Sequence, residues 1–353
     1  MSDNTTIEWT DATWNPITGC TLVDDGCRHC DAARLAATRL KHHPSRQGLA
    51  RLNAAGEAKF TGEVGFNPEW LDQPLRWKKP RRIFVCAHGD LFHENVPTDW
   101  IDQVFAIMAL APHHTFQVLT KRPDRARAYL TSDFTGLSIR SAMQQIKPVD
   151  VLQMNWPLPN VWLGISISDQ ASADARIPDL LATPAAIRFL SAEPLLGAVD
   201  LWRWMGVHHH PDNNVADPET RAAIEAVIKA ARETYRAETG NHGIDWVIAG
   251  GESGPKARPM HPDWARSLRD QCTAVGVAFF FKQWGEWHPG DNMGEALDGL
   301  PFGCFNDAGR WINPVDQAFA SAGRQMMFRI GKASAGRLLD GRQWKEMPGV
   351  VDA

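Results

Sequence analysis

Short apolar runs rich in β-forming residues recur along the chain, and most are followed by a helical pattern, which restricts the fold to the α/β class. The runs are Arg82–Cys86, Thr115–Leu119, Val161–Ser166, Ile187–Ser191, Asp245–Ala249 and Val277–Phe281; a further strand just before Cys20 makes seven. They are apolar throughout rather than alternating, so both faces need cover, as in a parallel sheet clothed by helices. Repeated β-α units of this length predict a partial or complete TIM-like (β/α) barrel, with a doubly wound sheet as the competing architecture. Helices are predicted over Thr98–Ala111, which opens with Thr and Asp, and over His261–Val275, which opens with Pro262-Asp263 and stops before Gly276.

Two segments interrupt this rhythm. Residues 41–67 are rich in Ala, Arg and Gly, and residues 207–241 carry His208-His209-His210 and an amphipathic pattern over 218–238. Neither has enough apolar runs to close its own core, so both read as insertions. Consecutive histidines on an extended loop cannot all face one ion, and the triplet reads as solvated. The barrel with its insertions is assigned to residues 1–289. The Gly-rich remainder, 290–353, with aromatics and a basic helix around Gly331–Gly341, is expected to be a C-terminal cap or extension.

The chain has 353 residues, enough for one large α/β barrel or two ordinary domains, and its 44% hydrophobic content can fill a sizeable core. A net charge of −4 provides no global basic field for nucleic acid, although the basic stretches Arg76–Arg82 and Arg324–Arg342 offer local phosphate contacts. Six cysteines are too few for a disulfide scaffold, and no signal segment opens the sequence. The longest apolar stretch, around Val104–Pro112, is well short of a membrane span. The expectation is a cytoplasmic protein with no membrane partner. Fifteen tryptophans against two tyrosines read first as core packing.

Cys20, Cys27 and Cys30 lie within eleven residues, in the spacing Cys-x6-Cys-x2-Cys. Soft thiolates select iron–sulfur or zinc over hard cations. Three thiolates from one loop can hold an iron–sulfur cluster and leave one iron open. A structural zinc site usually closes with four protein ligands, often as two Cys-x-x-Cys pairs, and only one such pair is present. Zinc held by three cysteines and His29, or unrelated core thiols, are the other readings of the same residues, and the cluster is favoured.

Functional groups of α/β barrels gather where strands end. The second strand delivers His88, Gly89 and Asp90, and the third Thr120, Lys121 and Arg122. The fourth delivers Ser166, Ser168, Asp169 and Gln170, and the fifth Ser191 and Glu193. Gly250, Gly251, Glu252 and Ser253 follow the sixth strand, and Lys282, Gln283, Trp284 and Glu286 the seventh. Simple pairing of Glu193 and Glu252 with Lys121 or Lys282 is the structural alternative, since buried carboxylates are usually neutralised. Phosphate-loop, dinucleotide and serine-hydrolase fingerprints are absent, which weakens ordinary ATP, NAD and acyl chemistry.

The opening Ile7–Pro16, followed by Gly19-Cys20 and Gly26-Cys27-Arg28-His29-Cys30, resembles a phage-linked three-cysteine-motif family. Asp90–His93, Leu119–Pro123, Phe189–Leu196, Gly250–Gly254 and Phe281–Gly285 extend the resemblance over most of the chain. That family in turn resembles a distant branch of the radical S-adenosylmethionine (SAM) enzymes, of the spore photoproduct lyase type. The usual spacing there is Cys-x3-Cys-x2-Cys, so the gap here is longer, and Asp31 stands where a tyrosine commonly follows the third cysteine.

The resemblance implies a [4Fe–4S] cluster on Cys20, Cys27 and Cys30, with SAM on the fourth iron. Cleavage of SAM would yield a 5′-deoxyadenosyl radical that takes hydrogen from a substrate, with nucleic acid or a nucleoside, in repair or modification, as the leading substrate class. It also implies an external electron donor of flavodoxin or ferredoxin type and a partner protein encoded nearby. Asp90, Ser166, Ser168 and Glu193 are then candidates for the polar groups of SAM, and Lys121, Glu252, Lys282 and Gln283 for SAM or substrate. The alternative class is a non-catalytic nucleic-acid-binding protein whose three cysteines hold structural zinc or iron–sulfur.

Overall fold

The structure, a computed structural model, describes residues 5–148, 154–205, 217, 219–220, 223, 226–227, 230, 234, 243–290, 299–306, 309–312 and 324–349. All seven expected strands form: β1 (Ala12–Trp14), β2 (Arg82–Val85), β3 (Thr115–Thr120), β4 (Val161–Ile167), β5 (Ile187–Ala192), β6 (Trp246–Gly250) and β7 (Ala278–Gln283). They lie in one sheet in chain order, with parallel registers such as Trp14 opposite Val85 and Ala249 opposite Phe281. A doubly wound sheet reverses its order at a switch point. No reversal occurs, so the topology is that of an incomplete (β/α) barrel with β1 and β7 as its edges. The β7 edge is not left bare: Phe281 N donates to Trp344 O at 3.0 Å, and Glu346 N to Phe279 O at 3.2 Å.

Two compact units make up the chain. The first comprises Met1–Ser166, Asp174–Ser191 and Asn241–Asp245; the second comprises Ile167–Ala173, Ala192–Gly240 and Trp246–Ala353. In the first, Trp14, Ile83, Phe116 and Phe189 are fully buried, as are Ile101 and Ile107 of α2 (Thr98–Leu110). Each such side chain contributes about 1.5–3 kcal/mol by leaving water. Two more helices follow β3: α3 (Pro123–Leu130), with proline at its first position, and α4 (Thr135–Ile146).

The segment 41–67 forms a hairpin, Ala50–Leu52 against Ala58–Phe60, and a short strand, Gly65–Phe66, that pairs with Ile17–Thr18 ahead of the cysteine loop. The histidine triplet and most of the helical pattern over 218–238 lie outside the described residues; described positions there, such as Glu219 and Thr234, are helical and exposed. Among the described residues, no helix is long and apolar enough to cross a membrane.

In the second unit, Trp246, Phe279 and Phe281 are buried with Leu268 and Cys272 of α6 (Pro262–Val275). His261 caps this helix by accepting from Asp263 N, and Gly276 ends it in the left-handed conformation. Beyond β7 an antiparallel sheet, missed in the sequence, is formed by β8 (Trp287–Pro289), β9 (Phe302–Phe305), β10 (Trp311–Ile312) and β11 (Gln325–Arg329), in the order β8-β11-β9-β10. Trp287, Phe305 and Met327 form its small core with Ala257. The basic helix expected around Gly331–Gly341 is a single turn, Lys332–Ala335, bounded by Gly331 and Gly336.

Candidate functional site: the cysteine loop and the strand ends

The cysteine loop begins at a position only glycine can occupy. Gly19 has φ +96°, and a Cβ there would sit 2.1 Å from Glu63 O. The 41–67 segment thus lies directly against the start of the loop, and it holds two further points: Thr18 Oγ1 donates to Ser45 O at 2.9 Å, and Lys59 Nζ to Arg28 O at 2.9 Å. Past Cys20 the chain makes one tight turn at Asp25–Cys27, and Cys30 precedes α1 (Asp31–Ala37). The segment that reads as an insertion is a clamp on the loop.

The six residues between Cys20 and Cys27 carry Asp24, on which two cations converge. Lys121 Nζ, from the end of β3, lies 2.8 Å from Asp24 Oδ1, and Arg176 Nη2, from α5 (Gln170–Leu181), lies 2.5 Å from Oδ2. Arg176 also donates to Ser166 O at 2.8 Å. Burial alone would raise the Asp24 carboxyl, but Lys121 and Arg176 outweigh it and hold the pKa at about 2. The long gap therefore has a physical role: it carries a carboxylate to two fixed cations.

Arg122 forms a second hub. Its Nη1 lies 3.0 Å from Asp90 Oδ2 and donates to Cys20 Sγ at 3.6 Å, its Nε lies 2.6 Å from Glu94 Oε2, and its Nη2 donates to Thr21 Oγ1. Burial opposes the charge on Arg122, while Glu94 and Asp90 favour it and raise its pKa on balance. Asp90 is fully engaged: besides Arg122 it accepts from Thr120 Oγ1, Phe92 N and Lys121 N. It orients Arg122 and has little capacity left for a ligand.

The three cysteines are unbonded to one another and partly exposed. Burial, reinforced by the charge of Asp90 and opposed by Arg122, pushes the Cys20 thiol up to about 12. Burial also raises Cys30, against N–H groups of Ala33 and Ala32. Among the described residues, no group of three His, Cys, Asp or Glu side chains stands as a set that could hold a metal ion.

The strand-end residues chosen from sequence divide between the units. Cys20, Cys27, Cys30, Asp90, Lys121 and Ser166 belong to the first; Ser168, Glu193, Glu252, Lys282 and Gln283 belong to the second. Ser168 serves the start of α5, where its N donates to Ser172 Oγ and Ser172 N donates to Asp169 Oδ1. Glu193 pairs with Lys282 at 2.6 Å, as the pairing alternative expects. Glu252 instead takes Arg258, whose Nη2 lies 2.6 Å from Oε1 and whose Nε lies 2.9 Å from Oε2. Gln283 donates to Ser253 Oγ, but its buried Oε1 has no partner among the described residues.

Sequence reasoning missed Asp24, Arg176 and Glu94 as parts of the constellation. The available signal was an Asp-Asp pair inside the cysteine gap and the one basic residue, Arg176, in the run Ala171–Leu181. The basic stretch Arg76–Arg82 is largely occupied: Arg76 pairs with Asp72, Arg82 with Asp11, and Arg81 stacks over Trp77. Lys78 and Lys79 remain exposed.

A family model described as "Protein of unknown function (DUF5131)" matches residues 4–348, and the chain belongs to that family. No curated protein and no solved structure matches the chain.

Proposed function

We propose that this member of the family is an iron–sulfur enzyme of the radical SAM kind, with Cys20, Cys27 and Cys30 as ligands to a [4Fe–4S] cluster and a nucleic acid or nucleoside as substrate. The observation that carries the reading is the cysteine loop itself: three unbonded thiols, clamped by the 41–67 segment and tied by Asp24 and Cys20 to three basic side chains. The donor set suits the group in its chemistry, since three soft thiolates leave one iron open. When bound, such a cluster supplies the electron that cleaves SAM to methionine and a hydrogen-abstracting 5′-deoxyadenosyl radical.

The chain's own residues have definable tasks. The thiols would converge from their present positions and give up their protons, as metal binding requires. Arg122 places a hydrogen-bond donor on Cys20 Sγ and offsets thiolate charge. Lys121 and Arg176 hold the segment between Cys20 and Cys27 through Asp24. Exposed Lys78 and Lys79 offer phosphate contacts to a nucleic-acid substrate.

The test is anaerobic reconstitution of the full chain with iron and sulfide, followed by metal analysis and by absorbance and paramagnetic-resonance spectra with and without SAM. The expected result is about four irons per chain and a reduced-cluster signal that changes on adding SAM. A colourless zinc protein whose spectra ignore SAM would reject the proposal and favour the structural-site reading. Cys27→Ala is expected to lose the cluster while keeping most of the fold; loss of folding instead points to structural metal.

A further inference from the structure

Charge is segregated along the chain. Residues 26–62, which run from within the cysteine loop through α1 to just past the hairpin, hold seven basic residues against two acidic ones, a net charge of +5 in a chain of net −4. A surface adapted only for solubility intersperses the two signs. The segment is one local body of the first unit: α1 packs against both strands of the hairpin, and Lys59 Nζ donates to Arg28 O at 2.9 Å. Arg28, Arg34, Arg39, Lys41 and Arg51 are exposed. Arg28 and Arg34 meet Asp25 and Asp31 in pairs that stay open to solvent, while Arg39, Lys41 and Arg51 form no ion pair among the described residues.

Within the hairpin two of these charges are set against each other. Arg51 stands directly opposite Lys59 in the antiparallel register, and like charges in that position destabilise a strand pair. The carboxylates at the borders of the segment offer little relief: Asp24 is held by Lys121 and Arg176, Asp25 pairs with Arg28, and Glu63 is exposed. An anion that spans several of the cations would lift the repulsion. Which anion follows from what the segment lacks. It has no Trp, Tyr or Met, and its one Phe, Phe60, is half-buried. Protein interfaces are anchored by aromatic side chains and Met as well as Arg, and single-stranded nucleic acids are held by stacking their bases on aromatic rings. Arginine and lysine without such rings suit the phosphates of a duplex, whose bases stay stacked on one another.

We infer that residues 26–62 form a docking surface for the phosphate backbone of double-stranded nucleic acid, with Arg39, Lys41 and Arg51 as its principal contacts. The assignment deepens the proposed function, on which it rests for its link to chemistry. It makes a duplex rather than a free nucleoside the substrate and seats that duplex on the segment that clamps the cysteine loop.

The test is fluorescence anisotropy of labelled DNA and RNA duplexes of about 20 base pairs, and of one DNA strand alone, titrated with the full chain between about 50 and 200 mM salt. Contacts from the five exposed cations predict that the logarithm of the association constant falls against the logarithm of salt concentration with a slope of about −4 for duplex DNA. Arg39→Gln, Lys41→Gln and Arg51→Gln combined are expected to reduce the slope to about −1 to −2 and to weaken binding at low salt about tenfold or more. Arg39→Lys with Arg51→Lys keeps the charges and is expected to keep the slope. No saturable binding of either duplex at about 50 mM salt, a loss below about twofold in the Gln variant, or a single strand held about tenfold more tightly than the duplexes overturns the assignment. Binding of poly-L-glutamate through the same residues, without the duplexes, also overturns it and marks an acidic protein as the partner. Each titration is run before and after cluster reconstitution. A colourless protein that binds duplex through these residues keeps the assignment and rejects only the iron–sulfur reading, whereas a SAM-responsive cluster with duplex binding indifferent to them rejects only the assignment.

Discussion

In the first unit the charged side chains near the cysteines are shared, Asp24 between Lys121 and Arg176 and Arg122 between Asp90 and Glu94, whereas the strand-end carboxylates of the second each meet a cation, Glu193 with Lys282 and Glu252 with Arg258, and its shared carboxylate, Asp340 between Arg266 and Arg269, lies away from the strand ends. A closed pair has satisfied its charge and gains little from a further ligand. A shared ion is different, because its partners compete for it and any new charge nearby redistributes the set. Arg122 shows this most clearly, with two carboxylates, a hydroxyl and a cysteine sulfur around one guanidinium. Polar residues at strand ends are therefore not equivalent evidence of function. The unfinished network is the one beside the thiols, and the finished one uses its polar groups for structure.

Removing the hub is the most damaging way to break this contrast. Arg122→Gln leaves the buried carboxylate of Asp90 without its cation, and losing one partner of such a pair costs about 3–5 kcal/mol. Denaturant unfolding measures it; a loss below about 1 kcal/mol would mean the hub is no more than a surface ion pair. The second unit is expected to be most sensitive at its backbone instead. Gly285 has φ +81°, and a Cβ there would lie 2.1 Å from Glu252 O, so Gly285→Ala is expected to cost about 2–3 kcal/mol. Hydrogen exchange should place that loss in the strands around Gly250 and Gln283, and unchanged protection there would argue that the backbone contact is not what holds the region.

The same contrast explains what the sequence could and could not reveal. Six of the sheet strands were legible because each lies in a largely apolar run that needs cover on both faces, the three-residue first strand followed only from its place ahead of Cys20, and Thr98–Leu110 and Pro262–Val275 were legible because their start and stop signals are local. Strands β8 to β11 are two to five residues long with mixed aromatic and polar positions, so they carry no periodicity from which to read them. Site residues were found where they immediately follow a strand. Asp24 and Arg176 were not, because an aspartate in a loop and an arginine on a helix normally read as solvated, and only the tertiary fold brings positions so distant in sequence to 2.5 Å. Glu252 chose Arg258, six residues away, over the lysines because a local turn delivers the guanidinium fork first.

Asp24 sharpens the comparison through pH. Its folded pKa of about 2 lies below the ordinary 3.8, so its stabilisation is fully present above that ordinary value and is lost as pH falls through the folded one. The contribution is on the order of 2 kcal/mol. Asp24→Asn is expected to lose it at neutral pH and to flatten the stability profile between pH 4 and 2. The variant should also free the cysteine segment, raising the alkylation rate of Cys20 or Cys27 in the metal-free protein about tenfold. An unchanged alkylation rate would show that the two cations do not hold the loop.

The smallest effect is expected at Glu193 and Lys282. Both side chains keep about a fifth of their surface in solvent, 20% and 17%, so their pair is worth about 1 kcal/mol or less. A double-mutant cycle with Glu193→Gln and Lys282→Met isolates the coupling from the packing of the lysine stem. A coupling near 1 kcal/mol fits a pair that is complete in itself. A coupling of about 3 kcal/mol would instead equal that of a desolvated pair, and the second unit would then contain an electrostatic centre as demanding as Arg122. In that case the unpaired Oε1 of Gln283, next in sequence to Lys282, becomes the acceptor around which to look for a ligand.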